Sequence, residues 1–435
     1  MIVGPFLTDI DPQAAVKGSR DPLGVQTIWS RLGRHVVGNL TTVTTSVRDF
    51  TTLMLGYYFA ERVADSGGSD GDLNVFLRWE QLAGHARFRV NNDARIRGID
   101  RIKKAKNDGG RIRICADATG QILSNQRTYG LWGLYTGAAR ASGLIDGEPT
   151  RLTAAGRDLV QTAYVGAFTA NGLRNADAVV HRLSQSKLNL DADGKDSGFL
   201  RGVGKVLVPR LAASERKFFR EHLLLGEAIE KTTGKQAALA TAIDGTLGND
   251  DWTWSPASVG HLAKACRKLG EVGGDASRRL ERIRSAEQLL APSDVLFDLV
   301  LGSGDQRISE VASGVQSVWG QRVSTIDVSA IRQLEVELRD SKDDPQTGAR
   351  WVQTAEALAS GSYGTAIKLL IEQNASVMRM RGGAGAWVDS SGARLKIRYR
   401  DENLRDLPER GDLPKLWRHS YFIDALRAIA LELRS

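Results

Sequence analysis

Two cysteines, Cys115 and Cys266, are the only thiols in 435 residues. Their separation excludes a Cys-x-x-Cys redox pair and a four-cysteine zinc site, and each reads as a small buried hydrophobe. Long apolar runs are also missing: none approaches the roughly 18 residues that a membrane span needs. The segment Met1–Gln13 has no basic stretch ahead of its apolar residues, so no secretion signal is read and a cytoplasmic protein without membrane contact is expected. Strong charge bias is absent too. Hydrophobic residues make up 42% and charged residues 25%, an ordinary globular balance that excludes a disordered chain and a disulfide scaffold.

Metal and cofactor signatures are equally scarce. Six histidines (His35, His85, His181, His222, His261, His419) show no His-x3-His or Glu-x-x-His pairing. Asp191-Ala-Asp193-Gly-Lys-Asp196 has Gly at the fourth place where a calcium loop needs it at the sixth. Gly202-Val-Gly-Lys205 lacks the preceding Gly and following Ser/Thr of a phosphate loop, with Phe199 and Val206 in their places. Gly67-Gly-Ser69-Asp-Gly71 lies in a polar loop without the strand of a nucleophile elbow. No metal, cofactor or catalytic residue is assigned. Three Arg-x4–6-His spacings occur (Arg78/His85, Arg174/His181, Arg216/His222), where chance in an arginine-rich chain gives one or two. Arg216/His222, on a predicted helix, is the best of them and keeps an all-helical nuclease as an alternative.

What is present is basic charge, unevenly placed. The net charge is +8, residues 171–370 sum to zero, and the excess lies towards the two ends. Arg87, Arg89, Arg95, Arg97, Arg101, Lys103, Lys104, Lys106, Arg111 and Arg113 face only Asp93, Asp100 and Asp108 in the same stretch. Such density attracts phosphates by counterion release, or else forms a solvated face.

The periodicity is mainly helical. Asp21-Pro22 opens a helix over Val25–Val37, and a buried helix follows over about Thr42–Val63. Val75, Phe76, Trp79, Leu82 and Ala83 mark one helical face over Leu73–Ala86, and Ile96, Ile99 and Ile102 keep that spacing. Arg111-Ile-Arg-Ile then alternates as a strand. From about 167 to 360 the chain reads as helix after helix: Ala212–Ile229, Gln236–Ile243, Pro256–Leu269, Ala276–Leu290, Ser293–Val300, Ser309–Val318 and Ala349–Ala359. The loops are Gly- and Asp-rich, Asp191–Gly198 among them. The fold class expected is mainly α: an N-terminal helical domain (1–166), a central all-helical domain (167–370), and a C-terminal hairpin with an amphipathic helix over Leu413–Leu433 (371–435).

The clearest local pattern lies between Asp117 and Tyr164. Ser124 caps a helix carrying Leu131, Leu134, Tyr135 and Ala138 on one face, and Gly143 stops it. Asp146-Gly-Glu-Pro149 turns a small hairpin, and Thr153 caps the next helix. With Ala141-Ser-Gly-Leu-Ile145 and Arg151-Leu-Thr-Ala-Ala-Gly-Arg157, this segment resembles the second half of a bacterial winged-helix domain. The resemblance covers about residues 117–164 only. It implies that the helix before the hairpin is a recognition helix, with Asn125, Gln126, Arg127 and Arg140 as its polar reach, and that the hairpin with Arg151 is the wing. Trp132, Tyr135 and three glycines on that helix suit packing against a protein as well as entry into a groove.

At the C-terminal hairpin Arg394, Lys396, Arg398 and Arg400 alternate with Leu395, Ile397 and Tyr399. That places the four cations on one strand face, either as a second phosphate-facing surface or as charge that blunts a sheet edge. The expected function is a non-enzymatic DNA-binding or DNA-sensing subunit, on double-stranded DNA, of a bacterial genome-defence or DNA-processing complex with an ATPase or nuclease partner. The alternative is a structural adaptor that binds protein through its winged-helix-like unit.

Overall fold

The computed structural model describes residues 21–68, 70–226, 234–339, 344–381, 385–391, 394–399 and 406–434. Helix accounts for 61% and strand for 6%, so the chain is mainly α. No helix among the described residues is long and apolar enough to cross a membrane. The fold comprises two compact units, each assembled from separate stretches. The first holds the described residues of 1–33, 251–267 and 277–421, and the second those of 34–250, 268–276 and 422–435.

Early elements of the chain are α1 (Val25–Arg34), α2 (Val47–Asp65), α3 (Asp72–Asn91), α4 (Ile99–Asn107), β1 (Arg111–Cys115), α5 (Gln126–Tyr129), α6 (Leu131–Ala141), β2 (Ile145–Asp146), β3 (Arg151–Leu152) and α7 (Ala154–Leu159). Later strands are β4 (Lys187–Asp191), β5 (Val388–Ser391) and β6 (Arg394–Ile397). The three strand pairs, β1–β4, β2–β3 and β5–β6, are all antiparallel and two-stranded.

In the second unit α2 is apolar almost all round, with Phe50, Leu53, Met54, Tyr57 and Phe59 buried, as a central helix must be. It starts at Ser46, whose hydroxyl accepts from the Arg48 N–H at 3.2 Å. Its N-terminus is closed from afar. Glu432, on the helix Ile423–Arg434, accepts from the Val47 N–H at 2.9 Å and the Ser46 hydroxyl at 3.1 Å. Helix α3 is buried without a break from Val75 to Phe88, so the single apolar face read from the sequence understates its burial.

Helix α4 is seated by Ile102, fully buried against Phe88 and Ile122, with Ile96, Ile99 and Leu123 packed alongside. Strand β1 follows. Its partner β4 falls where the sequence reads a helix-to-loop passage. Ile112, Ile114, Leu188 and Leu190 turn inward and leave the alternate residues to solvent.

The helix expected after Ser124 is split. Asn125 caps the short α5, accepting from the Thr128 N–H, and Gly130 separates it from α6. A Cβ at Gly130 would collide with the Gln126 carbonyl and meet the Glu80 carboxylate at 2.7 Å, so only glycine fits. Gly143 stops α6 at φ 67°. The β2–β3 hairpin follows, and Thr153 caps α7 by accepting from the Gly156 N–H at 3.1 Å.

In the first unit, the two helices expected over 276–300 lie within one helix, Gly270–Gly302, which carries Pro292 internally and begins in the other unit. Ile308–Trp319, Thr347–Ser360 and Tyr363–Met380 follow. The long C-terminal helix read over Leu413–Leu433 is shorter. A 3₁₀ turn occupies Leu413–Lys415, Tyr421 and Phe422 take left-handed backbone (φ 46° and 60°), and the α-helix begins at Ile423.

Candidate nucleic-acid interface

The basic stretch divides into cations that hold the fold and cations that face water. Arg87 belongs to the first group. Its guanidinium is buried between Asp49 (2.8 Å) and Asp93 (2.9 Å). Burial pushes the Asp93 carboxyl up, but the charge and hydrogen bonds of Arg87, together with the Arg95 N–H and charge, outweigh it and hold the group below the usual carboxylate range. Arg89 is largely buried and pairs with Asp193 at 3.0 Å. Gln126 is fully buried, donating to Glu80 (2.8 Å) and accepting from Gln81 (3.1 Å). These three were candidates for DNA contact from sequence; the structure makes Arg87 and Gln126 interior residues and commits Arg89 to an ion pair.

A second group is engaged at the surface. Arg95 lies between Asp93 (3.4 Å) and Glu432 (3.5 Å). Arg97 donates to the Tyr129 carbonyl at 2.7 Å, and Arg101 to those of Gln121 and Leu123 at 2.8 and 3.1 Å. Arg101 thus pins the loop that leads into α5, and Arg97 the C-terminal end of that helix. Arg140 ties the hairpin through Thr150 at 2.8 Å, and Arg151 pairs with Asp72 at 2.6 Å.

The third group is exposed and has no acidic partner within ion-pair distance among the described residues. Lys103, Lys104 and Lys106 on α4, Arg111 and Arg113 on β1, and Arg127 on α5 belong here. Lys106 lies over the Phe88 ring at 5.2 Å. The α4 cations and β1 are consecutive, linked by the turn at Asp108–Gly110. Strand β4 adds Lys187 and Asn189, two residues the sequence reading missed because it treated this stretch as the approach to a loop. The available signal was the alternation Lys-Leu-Asn-Leu-Asp itself.

Helix α6 presents a different surface. Leu131, Tyr135, Ala138 and Ala139 are buried, while Gly133, Gly137 and Arg140 are exposed. Trp132 packs on Tyr57 and Phe76, with ring centroids 5.2 and 5.1 Å away. The N-terminus of α6 rests on Glu80, whose carboxylate accepts from the Leu131 N–H at 2.8 Å. Burial raises the Glu80 pKa to about 7, against the opposing pull of the Leu131 and Gln126 hydrogen bonds.

Elsewhere, Arg394 donates to the Asp305 carbonyl in the first unit, Lys396 is exposed, and Arg398 pairs with Asp389 at 2.9 Å. Strand β6 ends at Ile397, so Arg398 lies beyond the alternating run, and Arg400 is outside the described residues. The two residues of the nuclease alternative each have other contacts. Arg216 donates to the Leu211 carbonyl at 2.8 Å, while His222 stacks on Phe218 and places Nδ1 2.8 Å from the Ser142 carbonyl.

The first unit also holds a buried ionic cluster. His419 sits between Glu287 (2.7 Å) and Asp294 (3.0 Å), and Tyr421 donates to Glu287 at 2.9 Å. Burial opposes the imidazolium, but the two carboxylates outweigh it and raise its pKa to about 10. No group of three or more His, Cys, Asp or Glu placed to hold a metal ion occurs among the described residues. Comparison with family models, curated proteins and solved structures finds no match for this chain.

Proposed function

We propose that the chain is a non-enzymatic DNA-binding subunit whose α4–β1 surface lies on the phosphates of double-stranded DNA. One observation carries the reading: Lys103, Lys104, Lys106, Arg111 and Arg113 are exposed, follow one another closely, and lack acidic partners among the described residues. Cations in this state displace the counterions condensed on the phosphates of a duplex, with a gain in entropy. Anisotropy of a labelled 20-bp duplex tests it. Lys103→Ala with Lys104→Ala should weaken binding alike for unrelated sequences. It should also flatten the log–log salt dependence by about 1.8, roughly 0.9 for each lost phosphate contact. No binding at low salt, or a double variant identical to wild type, overturns the reading.

The exposed face of α6 favours a second activity, contact with a protein partner such as an ATPase or nuclease subunit. Gly137 admits close approach, and Tyr129 at the end of α5 is 52% exposed. A Cβ at Gly137 would have no neighbour within 4 Å among the described residues. Gly137→Arg should therefore leave the fold intact and abolish co-purification with such a partner.

A further inference from the structure

The β1–β4 pair is a two-stranded antiparallel ribbon with one face packed and one face open. Ile112, Ile114, Leu188 and Leu190 cover the interior side. The open side carries Arg111, Arg113, Lys187, Asn189 and Asp191. Register pairs Arg113 directly with Asn189 and Arg111 with Asp191. The Asp191 carboxylate turns to its own loop, where it accepts from the Gly194 N–H at 3.0 Å. Lys187 lies 3.9 Å from Asp117 at the other end. The centre of the open face is thus an arginine and an asparagine side by side, neither with a side-chain partner among the described residues.

Those two residue types have the geometry of base readers. The guanidinium matches the two acceptors of guanine in the major groove, and the carboxamide matches the acceptor–donor pair of adenine. The ribbon has a suitable size. Two strands lie about 4.8 Å apart, and five residues extend about 17 Å, whereas the major groove is about 12 Å wide and admits such a ribbon. Directly opposed side chains start about 5 Å apart, so both reach neighbouring base pairs. Helix α6 offers no comparable pair: glycines occupy its open face, and Arg140 is tied to Thr150.

We infer that the β1–β4 ribbon, and not α6, is the element that enters the major groove, with Arg113 and Asn189 reading base edges while Lys103 and Lys104 hold flanking phosphates. The inference rests on the duplex binding proposed above and adds base recognition by named residues. A pool of 20-bp duplexes with randomised central positions, selected on the full chain at fixed salt, tests it. The wild-type pool should converge on a motif. Arg113→Ala and Asn189→Ala should each lose preference at one position, lowering discrimination there by about tenfold or more. Arg140→Ala should return the wild-type motif. Both ribbon residues are exposed, and matching thermal unfolding would show their variants folded. A motif unchanged by either ribbon substitution, a motif altered by Arg140→Ala, or retained duplexes with no motif overturns the ribbon's role while leaving backbone binding intact. If no duplex is retained, the proposed function fails and the ribbon's role fails with it.

Discussion

Arg87 is a cation that builds the fold, and its replacement has a calculable result. Arg87→Met keeps most of the aliphatic stem and deletes the charge. Asp49 and Asp93, with side chains 4% and 2% exposed, then lose their shared counterion. Removing one partner of a buried ion pair typically costs about 3–5 kcal/mol. Among the described residues Asp93 keeps as a cation only the more distant Arg95, at 3.4 Å, and Asp49 keeps the Tyr135 hydroxyl at 3.0 Å. The loss depends on pH with a definite sign. The Asp93 carboxyl is held below its usual range in the folded chain. Its contribution is therefore present above the unfolded value of about 3.9 and disappears as pH falls through the folded one. Urea unfolding followed by circular dichroism should show a deficit of about 3–5 kcal/mol at pH 7 that narrows in acid below about pH 4. Lys104→Ala, a change at an exposed site, should stay within about 0.5 kcal/mol of wild type. If Arg87→Met unfolds with the wild type at pH 7, the assignment of Arg87 to the interior is wrong.

Two further predictions concern buried titrating groups. Glu80 has its folded pKa raised to about 7 by burial, so its contribution to stability is greatest below about pH 4.3 and is lost as pH rises towards 7. Unfolding free energy should fall by up to about 1.4 kcal/mol per pH unit across that window, and Glu80→Gln should flatten the slope; equal slopes in the two proteins would contradict the assignment. For His419, raised to about 10 between two carboxylates, stabilisation holds below about pH 6.5 and is lost as pH rises through 10. Its ring proton resonances should stay constant from pH 6 to 8.5, and a midpoint near 6.5 would show that the clamp is not formed.

Helical character was legible because it is written in local periodicity. Val75, Phe76, Trp79 and Leu82 place α3, and Thr153 with Gly143 brackets the small hairpin. Features that depend on distant residues were not legible. Strand β4 pairs with β1 across more than seventy intervening residues, and neither short segment announces the other. The break at Gly130 follows from the Glu80 carboxylate beneath it, which no local pattern shows. Pro292 reads as a helix end, yet the helix continues through it, with Ser293 donating its hydroxyl to the Leu289 carbonyl at 2.7 Å. In the candidate interface, charge density identified the stretch but not its division. The same run of arginines contains Arg87, which is interior, and Arg113, which is open, because the acids that claim Arg87 include Asp49 on another helix.

The closure of α2 by Glu432 sets an order on biosynthesis. The Val47 amide finds its acceptor 385 positions later in the chain, so the central helix of the second unit keeps an open end while the ribosome makes nearly everything in between. A product terminated before residue 423 would have all of α2 but neither the carboxylate nor the helix that delivers it. Quality-control proteases would meet that fragment as an unfinished core, and shortened polypeptides should be cleared without accumulating.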